Sequence, residues 1–156
     1  MNLYLLRHAD AIDQAETDVA RYLTDKGVSQ AKAVGRFCRD RGIVPDIILT
    51  SPYRRAEQTA EIVAKKIGSS EVLVVPFLGS GMEPATALRE LEPYIRCAGV
   101  MLVGHEPDFS LLAATLLGLP QARRLHLRKA SLTLLETERL APDSATLHFS
   151  LPVRFL

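Results

Sequence analysis

Two hydrophobic periodicities alternate along the chain. Leu3-Tyr4-Leu5-Leu6 is an unbroken apolar run, the pattern of a strand buried on both faces. A polar, acidic stretch from Asp10 to Arg21 follows. Thr24 then offers an N-cap, and Val28, Ala31, Val34 and Cys38 recur at helical spacing up to Gly42. Asp46 to Thr50 predicts a second strand. Ser51-Pro52 reads as a cap followed by proline at the first helical position, opening a helix with Ala56, Thr59, Ala60, Val63 and Ile67 on one face and a Glu61–Lys65 pair on its surface. Val72 to Val75 predicts a third strand. Pro84 starts a helix that carries Leu88, Leu91 and Ile95 and is interrupted at Pro93. Val100 to Val103 is a fourth strand that stops at Gly104-His105. Pro107 opens a helix with Phe109, Leu112, Ala113 and Leu116 inward and Gly118 at its end, and Ser131–Glu136 and Ala145–Leu151 are two late strands.

Strand–helix alternation over four units predicts a three-layer α/β/α sandwich with a mostly parallel central sheet, its two C-terminal strands pairing antiparallel at the edge. The 156 residues are expected to form one domain, residues 1–156. With 19 basic against 18 acidic residues, bulk attraction to nucleic acid or to an anionic membrane is not expected. Cys38 and Cys97 are too few for a disulfide framework and lack metal-ligand spacing. Arg7-His8 interrupts the first apolar run, so it does not read as a secretion signal, and no stretch is long enough to span a bilayer. A cytoplasmic monomer is the resulting expectation.

The chemistry concentrates where strands end. Arg7-His8 closes the first strand and Gly104-His105 the fourth. The second runs into Thr50-Ser51-Pro52 and a helix whose first turn holds Arg54 and Arg55. In an open α/β sheet the carboxyl ends of the strands are where ligands bind. Arginine forks match phosphoryl oxygens, a helix N-terminus favours an anion, and imidazole is the neutral-pH nucleophile. Each turn alone has an ordinary reading: a surface Arg-His, a loop with a satisfied histidine, a helix start with solvated arginines. Together at three strand ends they predict a phosphate pocket with an imidazole nucleophile.

The segments Leu6-Arg7-His8-Ala9-Asp10-Ala11, Leu23-Thr24-Asp25-Lys26-Gly27, Ser51-Pro52-Tyr53-Arg54-Arg55-Ala56-Glu57-Gln58-Thr59 and Leu102-Val103-Gly104-His105-Glu106-Pro107 resemble, in order, the histidine phosphatase superfamily, which includes phosphoglycerate mutases and acid phosphatases. Within it the chain is most similar to the short SixA-type phosphohistidine phosphatases. The resemblance covers about two-thirds of the chain and fades in its last third. It implies that His8 is a nucleophile carrying a transient phosphoryl group, that Arg7, Arg55 and His105 bind the phosphate, His105 protonated or donating a hydrogen bond, and that neither metal nor cofactor takes part. Arg54 falls at a variable position.

Two departures stand out. Ala9 replaces the glycine usual after the histidine, which narrows the backbone's freedom there. No general acid matches the larger members' pattern: Asp10, Glu83 and Glu106 are the nearby carboxylates, and Glu83 reads equally as the N-cap before Pro84. A site with a weak acid suits phosphohistidine, whose leaving imidazole needs less protonation than an alkoxide. The expected substrate is thus a phosphohistidine-bearing protein such as a phosphotransfer domain. The rivals are a phosphatase for small phosphate esters and, from another class, a non-catalytic phosphoprotein-binding module. The basic run Arg123, Arg124, His126, Arg128 and Lys129 reads first as a solvated face and second as a dock for an acidic protein surface. His148 reads as structural, and Gly79-Ser80-Gly81 is too short for a nucleotide loop.

Overall fold

The computed structural model describes residues 1–68 and 71–156, with the side chain of Arg123 also outside the described set. Among the described residues six strands, β1 (Asn2–Arg7), β2 (Ile47–Thr50), β3 (Glu71–Val74), β4 (Gly99–Gly104), β5 (Leu132–Thr137) and β6 (Ala145–Leu151), form one sheet in the order β3-β2-β4-β1-β5-β6. The first four in that order are mutually parallel. β5 runs antiparallel to β1, and β6 antiparallel to β5. The fold is α/β, with the mostly parallel sheet and antiparallel C-terminal strands that the sequence pattern implies.

The unbroken apolar run of β1 is explained by its central place. Leu3 and Leu5 enter one core with Val100 and Leu102 of β4, while Tyr4 and Leu6 enter the other with Met101 and Val103. Helices α3 (Pro84–Leu91) and α4 (Asp108–Leu116) cover the first face with Leu88, Leu91, Phe109 and Leu112. Helices α1 (Asp25–Asp40) and α2 (Arg54–Ile67) cover the second with Ala31, Val34, Ala60 and Val63. Each fully buried aliphatic side chain contributes about 1.5–3 kcal/mol, so the two cores fix the strand ends rigidly where the chemistry sits.

Thr24 caps α1 as its sequence implies, its hydroxyl accepting from the Gly27 amide at 3.0 Å. Gly27 has a separate reason to be glycine: a Cβ there would stand 1.9 Å from the Asp10 carbonyl oxygen. Pro93 divides its segment into α3 and a 3-10 turn, Glu92–Tyr94. Ser51-Pro52 does not cap α2. The helix starts at Arg54 after an extended Tyr53 with no side-chain cap, because the Ser51 hydroxyl is engaged elsewhere. Glu83 holds the N-cap position of α3, yet its side chain makes no capping bond. On α2, Glu61 lies 4.0 Å from Arg54 rather than forming the expected ion pair with Lys65. His148, on β6, pairs at the surface with Glu136 at 2.6 Å.

Candidate active site

Strand register brings the expected residues together. Arg7 pairs with Gly104 across β1 and β4, and Thr50 with Val103 across β2 and β4, so three strand ends lie side by side. The His8 amide donates to the Gly104 carbonyl at 2.9 Å, and the Ser51 amide donates to that of Val103 at 2.9 Å. These bonds extend the ladder one residue beyond each strand and fix the turns that carry the side chains. The His8 and His105 rings lie 5.2 Å apart. Arg55 reaches them from the first turn of α2, and its Nε donates to His8 Nε2 at 3.3 Å. His8, Arg55 and His105 are only 7%, 5% and 2% exposed. Gly104 allows this crowding, since a Cβ there would press to 2.8 Å against the Phe109 ring.

Two contacts fix the protonation of His8. Its Nδ1 lies 2.8 Å from the Ala9 carbonyl oxygen, which can only accept, so Nδ1 carries the proton. Its Nε2 receives the Arg55 N–H and therefore presents a lone pair. Burial, assisted by the charges of Arg55, Arg7 and Lys129, lowers the His8 pKa to about 4 against the bond to Ala9. The imidazole is thus neutral near pH 7, with Nε2 unprotonated and accepting from Arg55. Ala9 does not need the left-handed backbone that favours glycine: among the described residues the non-glycine residues with positive φ are Ala130 and Asp143.

His105 is also neutral. Burial, with His8, Arg55 and Arg7 nearby and Asp18 opposing, lowers its pKa to about 3, which favours the hydrogen-bonding form over the protonated one. Its Nε2 is 2.8 Å from Ser51 Oγ, and its Nδ1 is buried without a protein partner. Arg7 donates through Nη1 to the Leu127 carbonyl at 2.9 Å, while its buried Nε has no partner either. Buried polar atoms usually find partners. These two are unsatisfied donors or acceptors on residues that flank the His8 ring, and the chemistry of the arrangement suits an anion. Among the described residues no group of three or more His, Cys, Asp or Glu is placed to hold a metal ion.

The carboxylates occupy different stations. Asp10 accepts from Lys129 Nζ at 2.7 Å and from the Thr24 hydroxyl at 2.8 Å, and these bonds hold its pKa below the usual range, against partial burial. Glu106 accepts from the Ser110 and Leu127 amides at 3.1 Å each and from the Ser110 hydroxyl. Glu83 is exposed at the head of α3. Asp10 and Glu106 thus tie loops to helices, and neither is free-standing.

Four supporting residues have site contacts that the sequence reading did not assign to them. Thr59, seen in sequence as a core-face residue of α2, accepts from the Ala9 amide at 3.1 Å and donates to the Arg55 carbonyl at 2.7 Å. Ser51 takes the Tyr53 amide at 3.2 Å besides its bond to His105. Asp18 holds Arg55 through its backbone carbonyl at 2.7 Å and its carboxylate at 3.1 Å. Tyr53 stands edge-on to His105, ring centres 4.8 Å apart, and lies under the Arg55 guanidinium. Hydroxyls at Ser51 and Thr59 were the available signal for two of these. Asp18 gave none, being one of several acids in a loop.

The profile of the histidine phosphatase superfamily (branch 1) matches residues 3–79. An uncharacterised protein of Picosynechococcus sp. is 34% identical over 140 residues, spanning 85% of this chain and 82% of its own. The chain belongs to the histidine phosphatase superfamily. Its fold matches that of the protein histidine phosphatase SixA solved with tungstate (TM-score 0.89, 22% identity, 99% of each chain covered). A SixA of Nakamurella, described as a putative phosphohistidine phosphatase, matches at TM-score 0.79 and 26% identity over 97% of this chain and 95% of its own. A mycobacterial glucosyl-3-phosphoglycerate phosphatase matches at 0.75 and 22% over 95% and 97%.

Proposed function

We propose that this protein is a phosphatase that works through a phosphoryl group carried on His8 and that its substrate is a phosphohistidine-bearing protein, such as a phosphotransfer domain. The observation that carries the reading is the His8 lone pair: Nδ1 is committed to Ala9 and Nε2 is left unprotonated in a pocket walled by Arg55, Arg7 and His105. In the first step Nε2 forms a bond to phosphorus while the bond from phosphorus to the substrate imidazole breaks, and the departing imidazole takes a proton from solvent water. In the second, water attacks the phosphorylated His8, releasing inorganic phosphate and restoring the ring. Division into two displacements lowers each barrier.

Arg55 hands its Nε–H from His8 to a phosphoryl oxygen as the new bond forms. Arg7 and His105 Nδ1–H donate to the others, with Ser51 holding the other His105 nitrogen. Donors fixed in a water-poor pocket stabilise the transition state most, and the guanidinium groups supply the positive charge that phosphoryl transfer requires, so the reading needs no cofactor. Asp10 and Glu106 are engaged by internal donors, which favours a leaving group that departs with little acid assistance. Unpaired Cys38 and Cys97 agree with work in a reducing cytoplasm, and no helix among the described residues is long and apolar enough to cross a membrane.

Similarity to a glucosyl-3-phosphoglycerate phosphatase gives weight to a second reading, a small-ester phosphatase. Turnover of a phosphohistidine-bearing phosphotransfer protein, measured beside a panel of small phosphate esters with chelator present and His8→Ala as control, separates the two. Preference for the phosphoprotein, lost in the variant, is expected. Preference for esters transfers the assignment to the second reading. Phosphoprotein binding without turnover assigns a binding module.

A further inference from the structure

Beside the phosphate pocket lies an open cavity of about 570 Å3 whose lining includes Arg7, Lys26, His126, Arg128, Lys129 and Arg154. Five Lys or Arg side chains face it, and no Asp or Glu is among its lining residues. In a chain of 19 basic and 18 acidic residues this is a strong local imbalance. It does not come from one basic stretch of sequence. Arg7 ends β1, Lys26 lies in the first turn of α1, Arg128 and Lys129 precede β5, and Arg154 follows β6. The fold gathers charge from four separate segments, and among the described residues Lys129 is the one of the five that forms a close ion pair, with Asp10 at 2.7 Å. Arg7 belongs both to this cavity and to the phosphate pocket, so a group held here sits one guanidinium away from the phosphoryl group on His8.

We infer that this cavity receives acidic side chains, Asp or Glu, that flank the phosphorylated residue on the partner protein. The inference rests on the reading of the site as a protein phosphatase and adds what the partner surface must carry. Lys26, His126, Arg128 and Arg154 are exposed and spread around an open cavity. A second phosphate on a small molecule calls for donors converging on one point, whereas dispersed cations suit dispersed carboxylates. Exposed charges of this kind act mainly on encounter and orientation and are sensitive to salt. They therefore select the partner rather than drive the chemistry.

The test uses the full chain and the double variant Arg128→Glu/Arg154→Glu, with Arg128→Ala/Arg154→Ala as the milder pair and circular dichroism confirming folding. An unphosphorylated decapeptide of Asp and Glu and, separately, inorganic pyrophosphate are titrated at low and at physiological salt. The peptide is expected to bind the wild type, to bind the charge-reversed variant at least about tenfold more weakly, and to weaken with salt. In turnover, the ratio of kcat/KM for the phosphoprotein to that for p-nitrophenyl phosphate falls by a similar factor, through KM. Equal peptide binding to both proteins, no peptide binding, or variant-sensitive binding of pyrophosphate alone overturns the inference. If the wild type binds the peptide but does not turn over phosphohistidine, the substrate assignment fails while the acidic docking face stands.

Discussion

Removing the hydroxyl of Thr59 while keeping its shape, as in Thr59→Val, probes how the nucleophile is held. Thr59 is fully buried. Its Oγ1 is the acceptor for the Ala9 amide at 3.1 Å and a donor to the Arg55 carbonyl at 2.7 Å. The carbonyl lies within α2 and keeps its intrahelical partner, so its loss is small. The Ala9 amide is left buried without an acceptor, which costs about 1–3 kcal/mol. A loss near 2 kcal/mol follows, and with a urea dependence of about 2 kcal/mol per molar the unfolding midpoint moves down by about 1 M. The carbonyl of the same residue, Ala9, fixes the His8 proton on Nδ1. Release of the Ala9 segment is therefore expected to lower kcat about tenfold with a smaller change in KM, because a misplacement of the reacting nitrogen acts on the chemical step. Thr59→Ser retains the hydroxyl and recovers most of both effects. A midpoint shift under about 0.3 M together with an unchanged kcat refutes this role for Thr59.

Three further outcomes are expected. Because burial lowers His8 to about 4 and His105 to about 3, both are neutral in folded and unfolded chains well above the ordinary histidine pKa of 6.5 and add no pH dependence there. Below it the unfolded chain takes up protons that the folded one refuses, so stability falls as pH drops from 6.5 toward 4, by on the order of 1 kcal/mol per pH unit for each histidine; urea melts of wild type and a His8→Ala/His105→Ala double variant across that window check it, and parallel pH profiles contradict it. Arg55→Lys replaces a fork that reaches His8 and Asp18 through three separate nitrogens with a point charge and should lower kcat/KM about 10²–10³-fold; steady-state kinetics showing less than a threefold loss would contradict the fork's importance. Gly27→Ala drives a Cβ to 1.9 Å from the Asp10 carbonyl oxygen, and the forced shift should cost about 1–3 kcal/mol in thermal unfolding, an unchanged Tm being the contrary result.

Much of this was legible in the sequence because local and long-range preferences agree. The unbroken runs of β1 and β4 state that both faces are buried, and their terminal Arg7-His8 and Gly104-His105 therefore had to emerge at one sheet edge. Thr24 and Gly27 announced the start of α1. Ser51 was misread for a physical reason: Ser-Pro before a basic helix turn has the local chemistry of a cap, but its hydroxyl meets His105, 54 residues away, and a tertiary bond overrides a local one. The protonation state of His105 was hidden because its burial is a property of the packed pocket. Asp18 lies in a loop whose path is set by contacts with Arg55, Arg54 and Arg21, and nothing in the alternation of apolar and polar residues encodes that path. Asp10, Glu83 and Glu106 stood out as a possible acid or substrate contact from proximity alone, and the donors that engage Asp10 and Glu106 are tertiary contacts the sequence pattern does not encode.

The central claim is that His8 Nε2 is the nucleophile. Its most direct test is to mix the protein with a phosphorylated substrate, stop the reaction in alkali within milliseconds, and locate the phosphoryl group by mass spectrometry and phosphorus NMR. The account predicts an acid-labile phosphoramidate on His8, bonded at Nε2, that accumulates before inorganic phosphate is released and is absent from His8→Ala. An acid-stable phosphoester on another residue, a phosphoryl group on Nδ1, or full turnover by His8→Ala contradicts it.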